Sequence, residues 1–272
     1  MNRSAETTPC STWTMAASST GGGTPEPSRY DPRTPPPKAK RVRLDATHEL
    51  PIPPEYRQLS YGDMATTIEF DIGFGSDSQL YTLHRSALCE VSPFFRMTFL
   101  GNSKEAREMK MTLPTTFCSI FETFVEWLYS RKLLINAMDG GLARIRGLRF
   151  LASLYIFADN YDVPQLKNDT MDVIISCVQE GYLLPGPEVI NEVYDNLPED
   201  SPLCRLLVNE YARTGQVLAG SSDDWPAGFV FKAFNATMRA IEGFSPLGRP
   251  THDCTYHDHA TEAERSACLV DG

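Results

Sequence analysis

The chain lacks the signals that mark membrane-spanning, secreted and disulfide-stabilised proteins. None of its apolar runs approaches the roughly 20 residues that a helix needs to cross a bilayer, and no apolar run at the amino terminus is typical of a signal peptide. Its seven cysteines are scattered and odd in number, whereas a disulfide framework has paired cysteines at regular spacings. We therefore expect a soluble intracellular protein whose cysteines are reduced.

Signatures of catalysis are missing as well. The sequence has no G-x-S-x-G motif, no phosphate-binding glycine loop and no H-E-x-x-H zinc motif. Cys89 lies in an apolar helical pattern, where burial raises the pKa of a thiol and makes it less reactive. The five histidines have no evident partner for a catalytic dyad. The sequence therefore predicts a protein that is not an enzyme.

Basic charge is concentrated near the amino terminus. The formal net charge is −10, but the first 50 residues carry seven Lys or Arg and five Asp or Glu, a net charge of +2. The rest of the chain therefore carries −12. A body with this charge repels the phosphates of nucleic acids, so direct nucleic-acid binding is not expected.

Residues 1–55 are rich in Ser, Thr, Gly and Pro and show no apolar periodicity. Such a segment cannot bury enough apolar surface to offset the entropy lost on folding, so this tail is predicted to be disordered. Within it, the run PPPKAKRVRLD at residues 35–45 carries four basic side chains, those of Lys38, Lys40, Arg41 and Arg43. This run resembles monopartite nuclear localisation signals of the K-R-x-[KR]-L-D type.

An extended basic run can place alternate side chains in the acidic, aromatic-lined groove of a nuclear import receptor. We therefore expect a nuclear protein with an import receptor among its partners, and shuttling with the cytoplasm stays open. The alternative is a solvated charge patch that binds no receptor.

The folded body begins with strands. Ile68, Phe70 and Ile72 alternate with polar residues, residues 73–78 have the composition of a turn, and residues 80–83 alternate again. This pattern predicts a β-hairpin. Residues 109–113 predict a third, short strand.

The stretch at residues 81–95, YTLHRSALCEVSPFF, is the most informative in the sequence. His84, Arg85 and Ser86 follow a strand and open a helical run. Ser92 can cap a second helix that has Pro93 at its first position. After the third strand, apolar spacing predicts a helix at residues 117–128, capped by Thr115 or Thr116.

Apolar periodicity predicts further helices along the rest of the chain. The first contains the apolar positions between Leu148 and Ala158 and extends to Asp162. The others run from Pro164 to about Cys177, around residues 189–194, and from Ser201-Pro202 to about Tyr211. A last helix is predicted from Pro226 to Glu242, with an apolar face formed by Phe231, Phe234, Met238 and Ile241. The residues after Gly243 are predicted to be loose.

The hairpin, the LHRSAL segment, the S-P-F-F helix start, the strand ending at Leu113-Pro114 and the FETFVEWLYSRKL helix together resemble the BTB/POZ domain. Two later segments, LYIFADNYDVPQLKNDTMDVI from Leu154 and VYDNLPEDSPLCRLLVNEYAR from Val193, are similar to helices of fungal BTB proteins. The resemblance covers residues 60–213. It implies an α+β BTB/POZ fold, with a small β-sheet flanked by a helical cluster, additional C-terminal helices and a disordered N-terminal tail.

The same resemblance divides the chain into four parts. They are the tail with the basic motif (1–55), the BTB/POZ domain (60–135), its helical extension (136–213), and a C-terminal helix with a loose tail containing His and Cys (214–272). Members that form swapped dimers use a long amino-terminal helix and strand. Here residues 54–61 provide only about two helical turns, so a swapped dimer is not expected.

The resemblance also implies residues that contact other proteins. In better-known members, an aspartate before the first hairpin strand and a basic residue after the strand-end histidine line a charged pocket. Asp63 and Arg85 match these positions, and His84 lies beside them. The alternative interpretation is that Asp63 caps local backbone groups and that His84 is a satisfied core histidine.

The leading hypothesis is a non-enzymatic protein-interaction module that serves as a nuclear scaffold or transcriptional co-regulator. The alternative is a substrate-recruiting adaptor of a cullin-type ubiquitin ligase, in which Phe94, Phe95, Met97 and Phe99 form or support the docking face. Cullin-binding members place an apolar residue two positions before a glutamate, where this chain has Ser103 and Glu105. A serine cannot supply the ~1.5–3 kcal/mol of a buried large apolar side chain, which weakens this alternative.

The carboxyl-terminal tail gathers metal-binding residue types. His252, Cys254, His257 and His259 lie within eight residues, and Cys268 follows; imidazole and thiolate are the usual zinc donors. The spacing has no paired C-x-x-C with a later H-x-x-x-H, and the segment has few apolar residues to surround an ion. The sequence leaves a zinc site and a polar surface tail as alternatives, and it predicts no other cofactor.

Overall fold

The computed structural model describes residues 66–75, 78–133, 141–179, 184–215, 218, 220–243, 254–259 and 261–271. All of these residues belong to one unit that spans Val42–Gly272. The amino-terminal tail with its basic motif, Asp63 and His252 lie outside the described residues.

Three strands form a small mixed sheet. Strand β1 (Thr67–Ile72) pairs antiparallel with β2 (Gln79–His84) and parallel with β3 (Lys110–Leu113), so the spatial order is β2-β1-β3. The predicted hairpin and third strand are confirmed. Alternation places Ile68, Phe70 and Ile72 on the buried face. On the other face, the ammonium of Lys110 lies 2.6 Å from a carboxylate oxygen of Glu69 on the neighbouring strand.

Between residues 78 and 133, which the structure describes without a gap, four helices accompany the sheet. They are α1 (Arg85–Val91), α2 (Pro93–Leu100), α3 (Lys104–Glu108) and α4 (Cys118–Ser130). The predicted strand-to-helix junction is confirmed, because α1 begins directly after the last residue of β2. The predicted cap of α4 is wrong: Phe117 precedes the helix and makes no side-chain capping bond.

Ser92 explains why the chain turns between α1 and α2. Its hydroxyl oxygen accepts a hydrogen bond from the backbone N–H of Phe95 at 3.0 Å, as a helix cap does, and Pro93 occupies the first helical position. The same hydroxyl donates to the carbonyl oxygen of Tyr161 at 2.6 Å. Ser92 is fully buried, so this residue both starts α2 and fixes it against a later part of the chain.

Six further α-helices follow in the part of the chain that the structure describes. They are α5 (Gly141–Asn160), α6 (Pro164–Gln179), α7 (Pro187–Asn196), α8 (Pro202–Thr214), α9 (Ala227–Ile241) and α10 (Glu262–Asp271). Proline occupies the first position of α6, α7 and α8, where its missing N–H costs no hydrogen bond. The side chain of Ser201 caps α8 by accepting from the N–H of Cys204 at 3.3 Å, as its sequence indicates.

Two apolar cores meet at α5. The first combines the sheet with α1, α2 and α4, and α5 adds Leu154, Phe157 and Ala158 to it. The second joins α6, α7, α8 and α9 to Leu151 and Tyr155 on another side of α5. Helix α5 therefore connects the strand-containing part and the helical part of the fold.

A polar contact reinforces this connection. The indole N–H of Trp127, a fully buried residue of α4, donates to a carboxylate oxygen of Asp169 on α6 at 2.6 Å. A buried indole needs such a partner, because an unsatisfied N–H would cost about 1–3 kcal/mol. The contact holds α6 in a fixed position against the first core.

The predicted last helix is confirmed as α9. Its predicted apolar face is exposed, and Phe229 and Ala233 are the residues that the helix buries. Phe229 lies among Tyr211, Trp225 and Tyr194, with ring centroids 5.1 to 5.8 Å away. The residues after Gly243 are not all loose, because residues 254–259 pack on the helical part and α10 follows them.

Candidate protein-interaction surface

Helix α2 has one buried face and one exposed face. Phe95 and Phe99 are enclosed in the first core, with 0% and 2% of their surface exposed, whereas Met97 and Leu100 are 54% and 60% exposed. Positions three apart lie on the same side of a helix, so Met97 and Leu100 form one apolar patch, which we call the α2 patch.

The four predicted docking residues therefore differ in how far their side chains are exposed. Phe95 and Phe99 support the helix from the core, and Phe94 is half-buried with its ring 5.5 Å from that of Tyr161. Only Met97 of the four has a largely exposed side chain. Leu100 was missed by the sequence analysis, although its position three residues after Met97 is the signal that identifies it.

Ser103 has a structural role beside the α2 patch. Its hydroxyl oxygen accepts from the N–H of Ala106 at 2.9 Å, which caps α3, and its hydroxyl donates to the carbonyl oxygen of Thr98 at 2.8 Å. A large apolar residue at this position would remove both hydrogen bonds. The serine thus fixes the short α3 against the end of α2, and the apolar surface near it comes from the α2 patch.

His84 is an exposed residue, so its interpretation as a core histidine is wrong. It ends β2, and its backbone N–H donates to the hydroxyl oxygen of Tyr129 at 3.2 Å. The same hydroxyl lies 3.0 Å from Nδ1 of the imidazole. These contacts join β2 to α4 at the surface. Arg85 is half-buried at the start of α1, whereas Asp63, its predicted partner in a charged pocket, lies outside the described residues.

The buried thiols of Cys89 and Cys204 are poorly suited to act as nucleophiles. Burial raises the pKa of Cys89, and the nearby guanidinium groups of Arg85 and Arg96 oppose this effect without overcoming it. Burial also raises the pKa of Cys204. A raised pKa leaves little of the reactive thiolate at neutral pH, as the sequence predicts for Cys89.

A second exposed apolar surface lies on α9. Phe231, Phe234, Met238 and Ile241 all point away from the second core, and the exposed fraction of Ile241 is 73%. These residues follow the helical period. This stripe is the apolar face predicted from the sequence, and the pattern does not say whether that face is buried. The aromatic rings around Phe229 belong to Tyr194, Tyr211 and Trp225.

The structure brings some of the predicted tail ligands together. Cys254 and His259 share a cluster with Cys268 in which the metal-ligand atoms lie within 4.8 Å of one another. His257 contacts the same cluster, with Nδ1 3.2 Å from Sγ of Cys268. His252, the remaining predicted ligand, is outside the described residues. Within the described part of the chain, no helix is both long and apolar enough to span a membrane.

Comparison with known proteins assigns the first core to a family. Residues 64–177 match the family model of the BTB/POZ domain, a range that starts just before β1 and ends within α6. The chain is also 25% identical over 114 residues to the Kelch repeat and BTB domain-containing protein 4 of Homo sapiens, of Mus musculus and of Pongo abelii.

The aligned segment is 42% of this chain and 19% of the human and mouse proteins, and 20% of the Pongo abelii protein. The chain thus spans about a fifth of the length of these relatives. The alignment carries information about one domain, and not about the whole length of the relatives.

Proposed function

Residues 64–177 of this chain are a BTB/POZ domain, a protein–protein interaction module, and from this premise we propose that the chain is a nuclear scaffold or transcriptional co-regulator. Its BTB/POZ domain binds a protein partner through the α2 patch, and its basic amino-terminal run recruits an import receptor. The observation that carries the proposal is an apolar patch, Met97 and Leu100, exposed on a helix that the core holds rigidly from its other side.

The α2 patch has the properties of a binding anchor. Its helix is fixed by the Ser92 cap and by the buried rings of Phe95 and Phe99, so little conformational entropy is lost when a partner covers it. Methionine adapts its shape to irregular partner surfaces. Burying one large apolar side chain contributes about 1.5–3 kcal/mol, so two such residues can provide the centre of an interface.

Replacing both anchors should remove the partner and leave the fold intact. We expect Met97→Lys with Leu100→Lys to lose a distinct set of nuclear neighbours in proximity labelling, because charged side chains cannot fill an apolar pocket. Lysine is suitable because a positive charge near the carboxyl-terminal end of a helix is favourable. The matched control is Phe231→Lys with Phe234→Lys, which makes the same chemical change on the exposed face of α9.

The comparison between these variants decides the position of the binding surface. If the α9 variant loses nuclear neighbours that the unchanged chain labels and the α2 variant keeps them, the proposal that partners bind through the α2 patch is wrong. Thermal unfolding of both purified variants should match that of the unchanged chain, since all four side chains are exposed.

The alternative function, an adaptor of a cullin-type ubiquitin ligase, is favoured by one observation. Ser103 bonds to the carbonyl oxygen of Thr98 on α2, and the α2 patch on this helix supplies apolar surface that the serine does not. We expect that purified full-length chain will not retain a purified cullin in a pull-down at micromolar concentration, because the apolar anchor two residues before Glu105 is absent. Retention that is lost in the Met97→Lys, Leu100→Lys variant would favour the adaptor function over the scaffold.

The finer family assignment is also a proposal. The helices from Leu154 and from Val193 support membership of the fungal group of BTB proteins by their sequence likeness alone. The matching range ends at residue 177, so α7, α8 and α9 extend beyond the domain and provide surface of their own.

A further inference from the structure

The segment at residues 254–259 is held firmly on the helical part of the fold. Tyr256 is buried, and its hydroxyl oxygen accepts from the side-chain amide of Asn209 on α8 at 2.9 Å. Asn168 on α6 makes two hydrogen bonds to the backbone of Asp258, each 3.0 Å long. This geometry gives the predicted tail ligands the rigid support that the sequence did not reveal.

An ion pair adds to this support. The ammonium of Lys167 on α6 lies between the carboxylates of Asp258 and Asp159, and the distance to Asp159 is 2.7 Å. Burial lowers the pKa of Lys167, but the two carboxylates outweigh this effect and raise it. Lys167 therefore carries its charge at neutral pH and holds the 254–259 segment on α6.

Three potential metal ligands converge here, two from this segment and one from α10. The ligand atoms of Cys254, His259 and Cys268 lie within 4.8 Å of one another. Tetrahedral zinc with ordinary Zn–S and Zn–N bonds holds its ligand atoms about 3.3 to 3.8 Å apart. Side-chain adjustments of about 1 Å are enough to close such a cluster around an ion, and thiolate with imidazole is the donor set that zinc prefers.

The imidazole of His259 provides an independent indication of a metal site. Its Nε2 atom is buried and has no hydrogen-bond partner among the described residues. A buried polar atom left unsatisfied costs about 1–3 kcal/mol. Binding of a cation by this imidazole would offset part of that cost.

His257 is placed as the fourth ligand. Its Nε2 lies 2.9 Å from a carboxylate oxygen of Asp172 on α6, and its Nδ1 lies 3.2 Å from Sγ of Cys268. When the carboxylate of Asp172 accepts a hydrogen bond from Nε2–H, the proton stays on Nε2 and the lone pair of Nδ1 is directed at the cluster. Zinc-bound histidines are commonly oriented by a carboxylate in this way.

We propose that Cys254, His257, His259 and Cys268 bind one structural zinc ion, with Asp172 orienting His257. Binding converts two thiols to thiolates and releases their two protons to solvent, so the four bonds form without any redox change. Because Cys268 lies in α10 and the other ligands lie in the 254–259 segment, the ion joins α10 to the segment docked on α6. Relative to the four ligands suggested by sequence, Cys268 replaces His252.

The test uses the full-length chain, purified in reducing buffer, loaded with zinc chloride and dialysed. Elemental analysis should find close to one zinc per chain, and cobalt substitution should give the visible bands of a tetrahedral site together with thiolate-to-cobalt charge transfer. We expect Cys268→Ser and His257→Ala to lose stoichiometric zinc. Asp172→Asn, which keeps the shape of the side chain, should weaken zinc binding about 10- to 100-fold.

Two matched controls should keep the metal. Cys177→Ser removes a thiol of α6 that is not among the four ligands, and His252→Ala removes the histidine that the sequence had favoured. The proposal is overturned if the unchanged chain retains no zinc, or if Cys254 and Cys268 form a disulfide that persists in reducing buffer. Loss of zinc from His252→Ala together with retention by His257→Ala would overturn the assignment of His257.

Discussion

The Phe95→Ala variant is expected to lose about 3–5 kcal/mol of unfolding free energy, the usual cost of truncating a buried phenylalanine. Phe95 has no exposed surface. Its ring lies 5.4 to 6.2 Å from those of Phe70, Phe94, Phe99, Phe124 and Tyr161. Removing it leaves a cavity lined by side chains of the sheet, of α2 and α4, and of the turn after α5, so no single movement can close it. Urea unfolding followed by circular dichroism measures the loss.

Met97→Ala is the matched control, because it truncates a large apolar side chain two positions away on the same helix. More than half of the Met97 surface is exposed, and exposed substitutions usually change stability by less than about 0.5 kcal/mol. Phe95→Leu, which retains more of the buried volume, should give a smaller loss than Phe95→Ala. Equal losses in Phe95→Ala and Met97→Ala would contradict the division of α2 into a buried face and an exposed face.

Local chemistry made the first half of the fold predictable. The alternation of Ile68, Phe70 and Ile72 identifies β1 without any knowledge of distant residues, because strand periodicity needs only one buried face. Ser92 followed by Pro93 likewise specifies a helix start through its own side chain. Predictions of this kind depend on neighbours within four residues, and the structure confirms them.

The failures involve partners that are distant in sequence. The sequence pattern of α9 shows an apolar stripe but does not identify its buried side, which includes Ala233, a residue that contributes little to an apolar pattern. Burial of Phe229 depends on Tyr194 and Tyr211 from two other helices. No periodicity within α9 indicates these contacts.

The prediction of a loose carboxyl-terminal tail is wrong for the same reason. Polar residues in the 254–259 segment predict exposure, yet Asn168 and Asn209 satisfy their hydrogen bonds on α6 and α8. The interacting pairs are separated by 90 and 47 residues. Their pairing cannot be deduced from a single sequence, and it is what turns scattered His and Cys residues into a cluster.

Helix α2 has one feature that local sequence predicts, its start at Ser92 and Pro93, and one that depends on distant partners, the choice of its buried side. The family resemblance selected residues 94, 95, 97 and 99 together as residues that form or support a docking face, and it does not say which of them are buried. The core of α4 and α5 decides that Phe95 is inside and Met97 outside. The α2 patch could therefore be identified only from the tertiary structure.

Replacing Lys40 and Arg41 by alanine is expected to abolish nuclear accumulation. The proposed import receptor would recognise the basic run by its charge and its extended backbone, and removing two of the four basic side chains takes away half of that charge. The residues lie outside those described, in a segment whose composition predicts no packed structure. Stability of the body should therefore stay the same, and thermal unfolding of the purified variant checks this.

The measurement is the ratio of nuclear to cytoplasmic fluorescence of the full-length chain, fused to fluorescent proteins that make it too large to diffuse passively. Arg29→Ala with Arg33→Ala is the matched control, because it removes the same charge from the same tail outside the basic run. The control should remain nuclear. If the Lys40 and Arg41 variant also stays nuclear, the import-signal assignment is wrong; if both variants leave the nucleus, the tail acts through total charge. A change in localisation alone would separate delivery to the nucleus from partner binding, since the α2 patch is unchanged in these variants.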